Sequence, residues 1–418
     1  MSDSVQGSVW TSEKSFFAKL LAYTGPALIV SVAYMDPGNY GTDIAGGSSF
    51  NYDLLWVVWL ASFMAMLMQY LSGKLGIATG RDLAEQLKIS LAKKRYYVPY
   101  WLASEVAIAA TDLAEYLGTV LALNMLFGIP LLIASIFGAA DVVIILVAVS
   151  RRFRVLEHLF ALWVSIIGIG FLYEIFLVRP SLSPVVIHSF IPELSPATIA
   201  VAVGIIGATV MPHAIYVHSW LTKNKIKQGS REEKRELLKL HRAETILLLG
   251  VAAFVNAAIL IMAAATLYPR YSYVTEVNQY YLILRPLFGP AAAIIFATTL
   301  LASGLSSSTT GTLAGQAVME GLLGARVNVY LRRIVTRLIN VIPTTLAILI
   351  GIAPLELLVY SQVVLSLMLP LPMIPLLKYT NDKRLMEEFA NRNLTSIIAV
   401  LVAITIIAFN AYLLLSLS

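Results

Sequence analysis

A carboxylate, a carboxamide and a thioether stand where uninterrupted apolar helix would be expected. In AYMDPGNYGTD at 33–43, Asp36 and Asn39 flank Pro37 and Gly38, and in ATVMPHAIYVH at 208–218, Met211 precedes Pro212 and His213. Ala33 matches Ala208, Asp36 matches Met211 and Pro37 matches Pro212, so the second stretch repeats the first. Proline has no N–H and displaces the residue before it from helical geometry, so each motif interrupts a hydrogen-bond ladder. Carbonyls one turn earlier, including those of Ala33 and Ala208, lose their partners. In hydrocarbon such groups must line a cavity or bind something. One negative charge, an amide oxygen, a thioether and two freed carbonyls make a ligand set for a divalent cation. Oxygen alone suits magnesium or calcium, whereas the sulfur of Met211 favours manganese, iron, cobalt or cadmium.

Each residue has a plainer reading. Met211 alone would be core filler, because methionines are freely used in apolar helices; its place opposite Asp36 in a repeat argues otherwise. Asp36 could pair with a basic residue, but none occurs nearby in spans 1 or 6, and intramembrane carboxylates are functional as a rule. Asn39 could cap the half-helix that follows, a role compatible with ligation. Gln362, the sole amide in its apolar segment, could lend an oxygen to the ion or bond a neighbouring helix.

A second set of groups suits proton movement. EVAIAATDLAEYLG at 105–118 sets Glu105, Asp112 and Glu115 broadly on one helical face. His213 follows Pro212 at once and reads as a proton-exchanging imidazole, whereas His218 reads as a packed histidine. YLRRIVTR carries Arg332, Arg333 and Arg337; one of them reaching Asp112 would keep that carboxylate ionised and complete a relay. Asp141 and Glu174 are further buried acids without an assigned role.

These groups need a membrane fold to hold them. Of 418 residues 58% are hydrophobic and 13% charged, against roughly a quarter charged in soluble domains. The chain reads as an all-α integral membrane protein with eleven spans: 18–45, 53–76, 98–123, 129–149, 156–178, 195–221, 243–268, 287–323, 331–350, 353–377 and 394–416. The net charge of +6 reflects basic residues gathered in alternate loops, which is a topology signal and not a nucleic-acid surface. It places the amino terminus in the cytoplasm and the carboxyl terminus outside. Five spans per unit invert the second copy, giving repeats over 18–178 and 195–377, a short cytoplasmic segment 1–17 and an additional span 394–416. The first span lacks the features of a cleaved signal peptide. The absence of cysteine excludes disulfides, thiolate metal sites and cysteine nucleophiles.

With DPGN at 36–39, LMQYLSGKLGIATGRDLAE at 67–85, ATDLAEYLG at 110–118, GATVMPHAIYVHS at 207–219, SSSTTGTLAGQAVMEGLL at 306–323 and SQVVLSLMLP at 361–370, the chain resembles the Nramp family of divalent metal transporters. The resemblance implies a LeuT-type fold with helices 1 and 6 broken at mid-membrane, and proton-coupled import of manganese(II) or iron(II) across the plasma membrane. It implies Asp36, Asn39, Met211 and the Ala33 and Ala208 carbonyls as metal ligands, with Gln362 joining in some conformations. Asp112, Glu115, His213, Arg332 and Arg333 would form the proton pathway. The metal is cargo, no cofactor is implied, and the protein is expected to work as a monomer in the bilayer. Leu305, Ala214 and Met368 depart from the usual glutamine, asparagine and glutamine; they put metal preference and coupling in question, not the class.

Other classes of function are a passive cation channel and a cation-coupled carrier of another solute on the same fold. Saturable uptake that rises with an inward proton gradient separates the first from a transporter. An intramembrane hydrolase finds no support, since neither HExxH nor GxSxG occurs.

Overall fold

The computed structural model describes residues 15–138, 153–225, 229–270, 277–325 and 328–416. The described residues are helical, with no strand. Span 1 is three helices, α1 (Phe16–Tyr23), α2 (Pro26–Ala33) and α3 (Pro37–Phe50). Span 2 is α4 (Leu55–Thr79), followed by a short α5 (Leu83–Leu91), and span 3 is α6 (Lys94–Phe127). Helix α7 (Leu131–Gly138) is the described part of span 4, whose remainder, including Asp141, lies outside the described residues. Span 5 is α8 (Phe153–Val178), and α9 (Leu182–Phe190) leads toward span 6, which is α10 (Ile199–Val210) and α11 (Pro212–Thr222). Then come α12 (Arg231–Leu267), α13 (Val277–Phe288), α14 (Pro290–Leu323), α15 (Val329–Leu349), α16 (Pro354–Met368), α17 (Pro370–Asn381), α18 (Lys383–Met386) and α19 (Asn393–Ser416).

Among the described residues eight helical segments are long and apolar enough to cross a bilayer, α10 with α11 and α16 with α17 each counting as one, or nine when the bent pair α1 and α2 is counted as well. The breaks at Asp36 and Met211 fall where the two prolines put them. Three details differ from the pattern expected of the sequence. Span 1 bends a second time, by 63° between α1 and α2, at Gly25 and Pro26. Span 7 begins a dozen residues early, because Ser230 and Glu233 form a capping box that starts α12 inside the basic loop. Span 10 divides at Pro370, whose ring cannot continue the ladder of α16.

The broken helices pack crosswise, α3 on α10 and α2 on α11, while α12 lies along α3 and α4, and α14 along α6. One apolar core joins them. On α8, Ile169, Leu172 and Phe176 are 67%, 72% and 68% exposed; an apolar face this open is the surface a lipid-facing helix presents. We call the end of span 1 that bears residue 16 the near face. There α1 is tied to α12 by an ion pair between Lys19 and Glu236, while the Gly25 N–H donates to Glu244 at 2.8 Å and Lys225 donates to the Tyr23 carbonyl at 3.1 Å. Beside them Lys223 bridges Asp82 at 2.5 Å and Glu85 at 2.8 Å, locking α11 to the capped start of α5.

Candidate metal site

Asp36 caps α3. Its backbone is extended at φ −78° and ψ 164°, its Oδ1 accepts the Asn39 N–H at 2.8 Å, and Pro37 takes the first helical position, where no N–H is needed. Asn39 Nδ2 donates to the same oxygen at 2.7 Å. That leaves Asp36 Oδ2 fully buried without a hydrogen-bond partner among the described residues. An ionised oxygen in that position is expensive to bury unless a cation completes it.

The opposite break comes close to this carboxylate through Asn39. Its Nδ2 also donates to the Ala208 carbonyl at 3.2 Å, and Thr209 Oγ1 donates to its Oδ1 at 3.1 Å. Met211 closes α10 and opens α11 with φ 51° and ψ 103°, a backbone state that β-carbon-bearing residues rarely hold, and it is wholly buried. Pro37 supplies no N–H for the Ala33 carbonyl at the end of α2. Gln362 on α16 lies against Gly38, in the space a larger residue there would fill, and its Oε1 has no partner among the described residues. Asp36, Asn39, Ala208 and Gln362 therefore share one buried junction of three helices. The Asn39 amide oxygen is already engaged by Thr209 and, at 3.3 Å, by Asn256; it becomes a ligand only after those bonds yield.

Asn256, Thr209 and Tyr34 are the residues that sequence reasoning missed here. Asn256 Nδ2 donates to the Tyr34 carbonyl at 3.0 Å, and the Tyr34 hydroxyl donates to the Val210 carbonyl at 3.4 Å. The available signal was the one used for Gln362: Asn256 is the only amide in α12.

The polar column of α6 stands beside the junction. His213 Nδ1 is 3.0 Å from Thr111 Oγ1, while its Nε2 is buried without a described partner. Glu115 faces Gly311 of α14, where an added β-carbon would come within 3.1 Å of the carboxylate. Toward the near face a cavity of about 120 Å³ is lined by Glu105, Asp112, Thr312, Arg332 and Thr336. Of the three arginines expected near the α6 acids, Arg332 meets Glu105, its Nη2 forking onto Oε1 and Oε2 at 2.9 and 2.7 Å. Gly315 makes this possible, since any side chain there would collide with the guanidinium. Asp112 lines the same cavity. The Arg333 and Arg337 side chains lie outside the described residues.

His218 is packed as expected, with Nδ1 3.0 Å from Gln69 Oε1 and its ring edge-on to His241 at 4.9 Å. Glu174 is 1% exposed, and neither of its oxygens has a described hydrogen-bond partner.

Comparison with known proteins shows the family. The family described as natural resistance-associated macrophage protein-like (Nramp) matches residues 27–416. A divalent metal cation transporter MntH from a Nostoc species is 43% identical over 412 residues, covering 97% of this chain and 93% of that protein. Its counterpart from Deinococcus radiodurans is 41% identical, over 95% and 90% of the two chains. A crystal structure of the Eremococcus coleocola manganese transporter superposes with a TM-score of 0.86 at 33% identity, covering 97% of this chain and 88% of that one. MhsT, at 14% identity and a TM-score of 0.62 over 94% and 97% of the two chains, shares the LeuT-type fold alone.

Proposed function

The chain belongs to the Nramp family, and from that premise we propose that it is a secondary active carrier, not an enzyme, that imports divalent transition metal ions such as manganese(II) and iron(II) with protons. The observation that carries the reading is the Asp36 oxygen buried at the junction of two broken helices with no hydrogen-bond partner among the described residues. Asp36, Met211 and the Ala33 and Ala208 carbonyls hold the ion, Asn39 joins them as its amide turns from Thr209 and Asn256, and Gln362 adds its free oxygen as the site closes. The ion is cargo, and no resident cofactor is invoked.

Protons take the neighbouring column. His213 and Glu115 stand nearest the junction, and Asp112 with the Arg332 and Arg333 pair continues toward the near face, which is cytoplasmic in this reading. The expected topology of two inverted repeats, 18–178 and 195–377, with 394–416 added, puts the chain's end outside the plasma membrane. Each monomer carries a complete pathway.

The test is uptake by proteoliposomes of a panel of divalent ions, with and without an inward pH gradient. Saturable manganese uptake accelerated by the gradient and abolished by Asp36→Ala is expected. Uptake that rises linearly with concentration and ignores the gradient would indicate a channel and overturn the proposal.

A further inference from the structure

A second group of metal-ligating side chains lies at the far face, away from the junction. Asp53 follows the end of α3, His188 stands in the last turn of α9, and Glu193 precedes α10. One ligand atom from each lies within 4.8 Å of the other two. The group thus joins the far ends of both broken spans.

The arrangement is held from outside. Trp56 and Trp59, one turn apart on α4, donate their indole N–H groups to the Glu193 carbonyl and to Ser189 Oγ, each at 3.1 Å. Those bonds fasten to α4 the stretch that links His188 to Glu193. The Tyr52 ring lies 6.2 Å from the His188 ring. His188 Nδ1 is directed at Asp53 Oδ1 from 3.8 Å, and this buried atom has no hydrogen-bond partner among the described residues. That separation is too long for a hydrogen bond. It is close to the distance of about 3–3.5 Å between two ligands of one ion, given metal–ligand bonds near 2.1 Å.

We propose that Asp53, His188 and Glu193 form a second divalent-metal site at the outer mouth, which collects a borderline first-row dication before it passes to the buried junction. The assignment to the outer side rests on the transport reading above. One imidazole nitrogen and two carboxylate oxygens suit manganese, iron, cobalt or zinc, whereas calcium prefers six to eight oxygens. Three protein ligands leave positions for water, so the ion exchanges. The Asp53 and His188 side chains are 35% and 19% exposed, open enough for an ion to enter from solvent. Burial raises the Asp53 carboxyl above its ordinary range, Glu193 adds to the rise and His188 opposes it; a bound cation would relieve the repulsion between the two acids.

The experiment uses the full chain in detergent, with Asp36→Ala removing the buried site. Manganese(II) is titrated and the free six-line paramagnetic resonance signal followed, with excess calcium present. One calcium-resistant ion per chain is expected, and His188→Ala or Glu193→Gln added to Asp36→Ala should each weaken it at least about tenfold. In otherwise wild-type protein His188→Ala should raise the half-saturating manganese concentration for uptake several-fold. No binding in Asp36→Ala protein, or binding that both second substitutions leave unchanged, would overturn the site. Failure of the transport reading shows separately, as absent uptake in wild-type protein whose outer site still binds.

Discussion

Replacing Arg332 by methionine tests the fork onto Glu105, one pairing among the arginines and α6 acids that the sequence alone left open. Unit charges roughly 4 Å apart attract by about 4 kcal/mol at an effective dielectric constant of about 20. Breaking a buried pair from one side costs about 3–5 kcal/mol, chiefly because the abandoned charge stays desolvated. Arg332 is 5% exposed and the Glu105 side chain 22%, so some solvent reaches the carboxylate and about 3 kcal/mol is the working figure. Roughly 2.1 cal/mol/K of unfolding entropy per residue, over 418 residues, converts this into a fall in melting temperature of about 3 °C. The assay is a thermal double-substitution cycle in one detergent, read by loss of the monodisperse chromatographic peak. Arg332→Met should lower the midpoint by that amount, and Glu105→Gln added to it should restore more than half, since a neutral amide no longer needs the cation. Additive shifts would refute the pairing.

Two further outcomes are expected. Met211→Ala should leave part of the manganese uptake in place while calcium and magnesium compete far better, because only the thioether discriminates against hard ions; unchanged selectivity in a competition assay would remove sulfur from the shell. Burial, with the Glu85 charge adding to it, pushes Asp82 up to about 6 despite the opposing Lys223. A raised carboxyl favours the folded state most below its unfolded value of 3.8, and that contribution fades as the pH rises through about 6. Asp82→Asn, which keeps a capping oxygen, should flatten this part of the stability profile; a slope between pH 4 and 6 identical to wild type would show that another group carries it.

Much of the site could be read from the chain because proline acts locally. Pro37 and Pro212 forbid specific hydrogen bonds whatever surrounds them, so the breaks, the freed Ala33 carbonyl and the Asp36 cap lie where elementary geometry puts them. The α6 acids were legible by helical spacing. Partners were not. Spacing cannot tell which of Glu105 and Asp112 meets Arg332, because the answer depends on Gly315 clearing room on another helix. Nor could it show that Asn39 already gives its oxygen to Thr209 and Asn256, which are 170 and 217 residues away in the chain. The far-face cluster arises in the same way, from segments that meet only in space.

The interruption in span 6 leaves arms of twelve and eleven residues, about 18 and 16 Å at roughly 1.5 Å per residue, across a hydrocarbon layer of about 30 Å. An ion resting at that point has crossed half of any voltage drop. For a dication this amounts to about 2.3 kcal/mol per 100 mV. With Asp36 the one charged group among the proposed ligands, the ligand shell swings from one negative when empty to one positive when loaded. The loaded stroke then carries one positive charge inward and the return stroke one negative charge outward, equal displacements of the same electrical sense, so the resting potential that draws the loaded form inward also drives the empty form back.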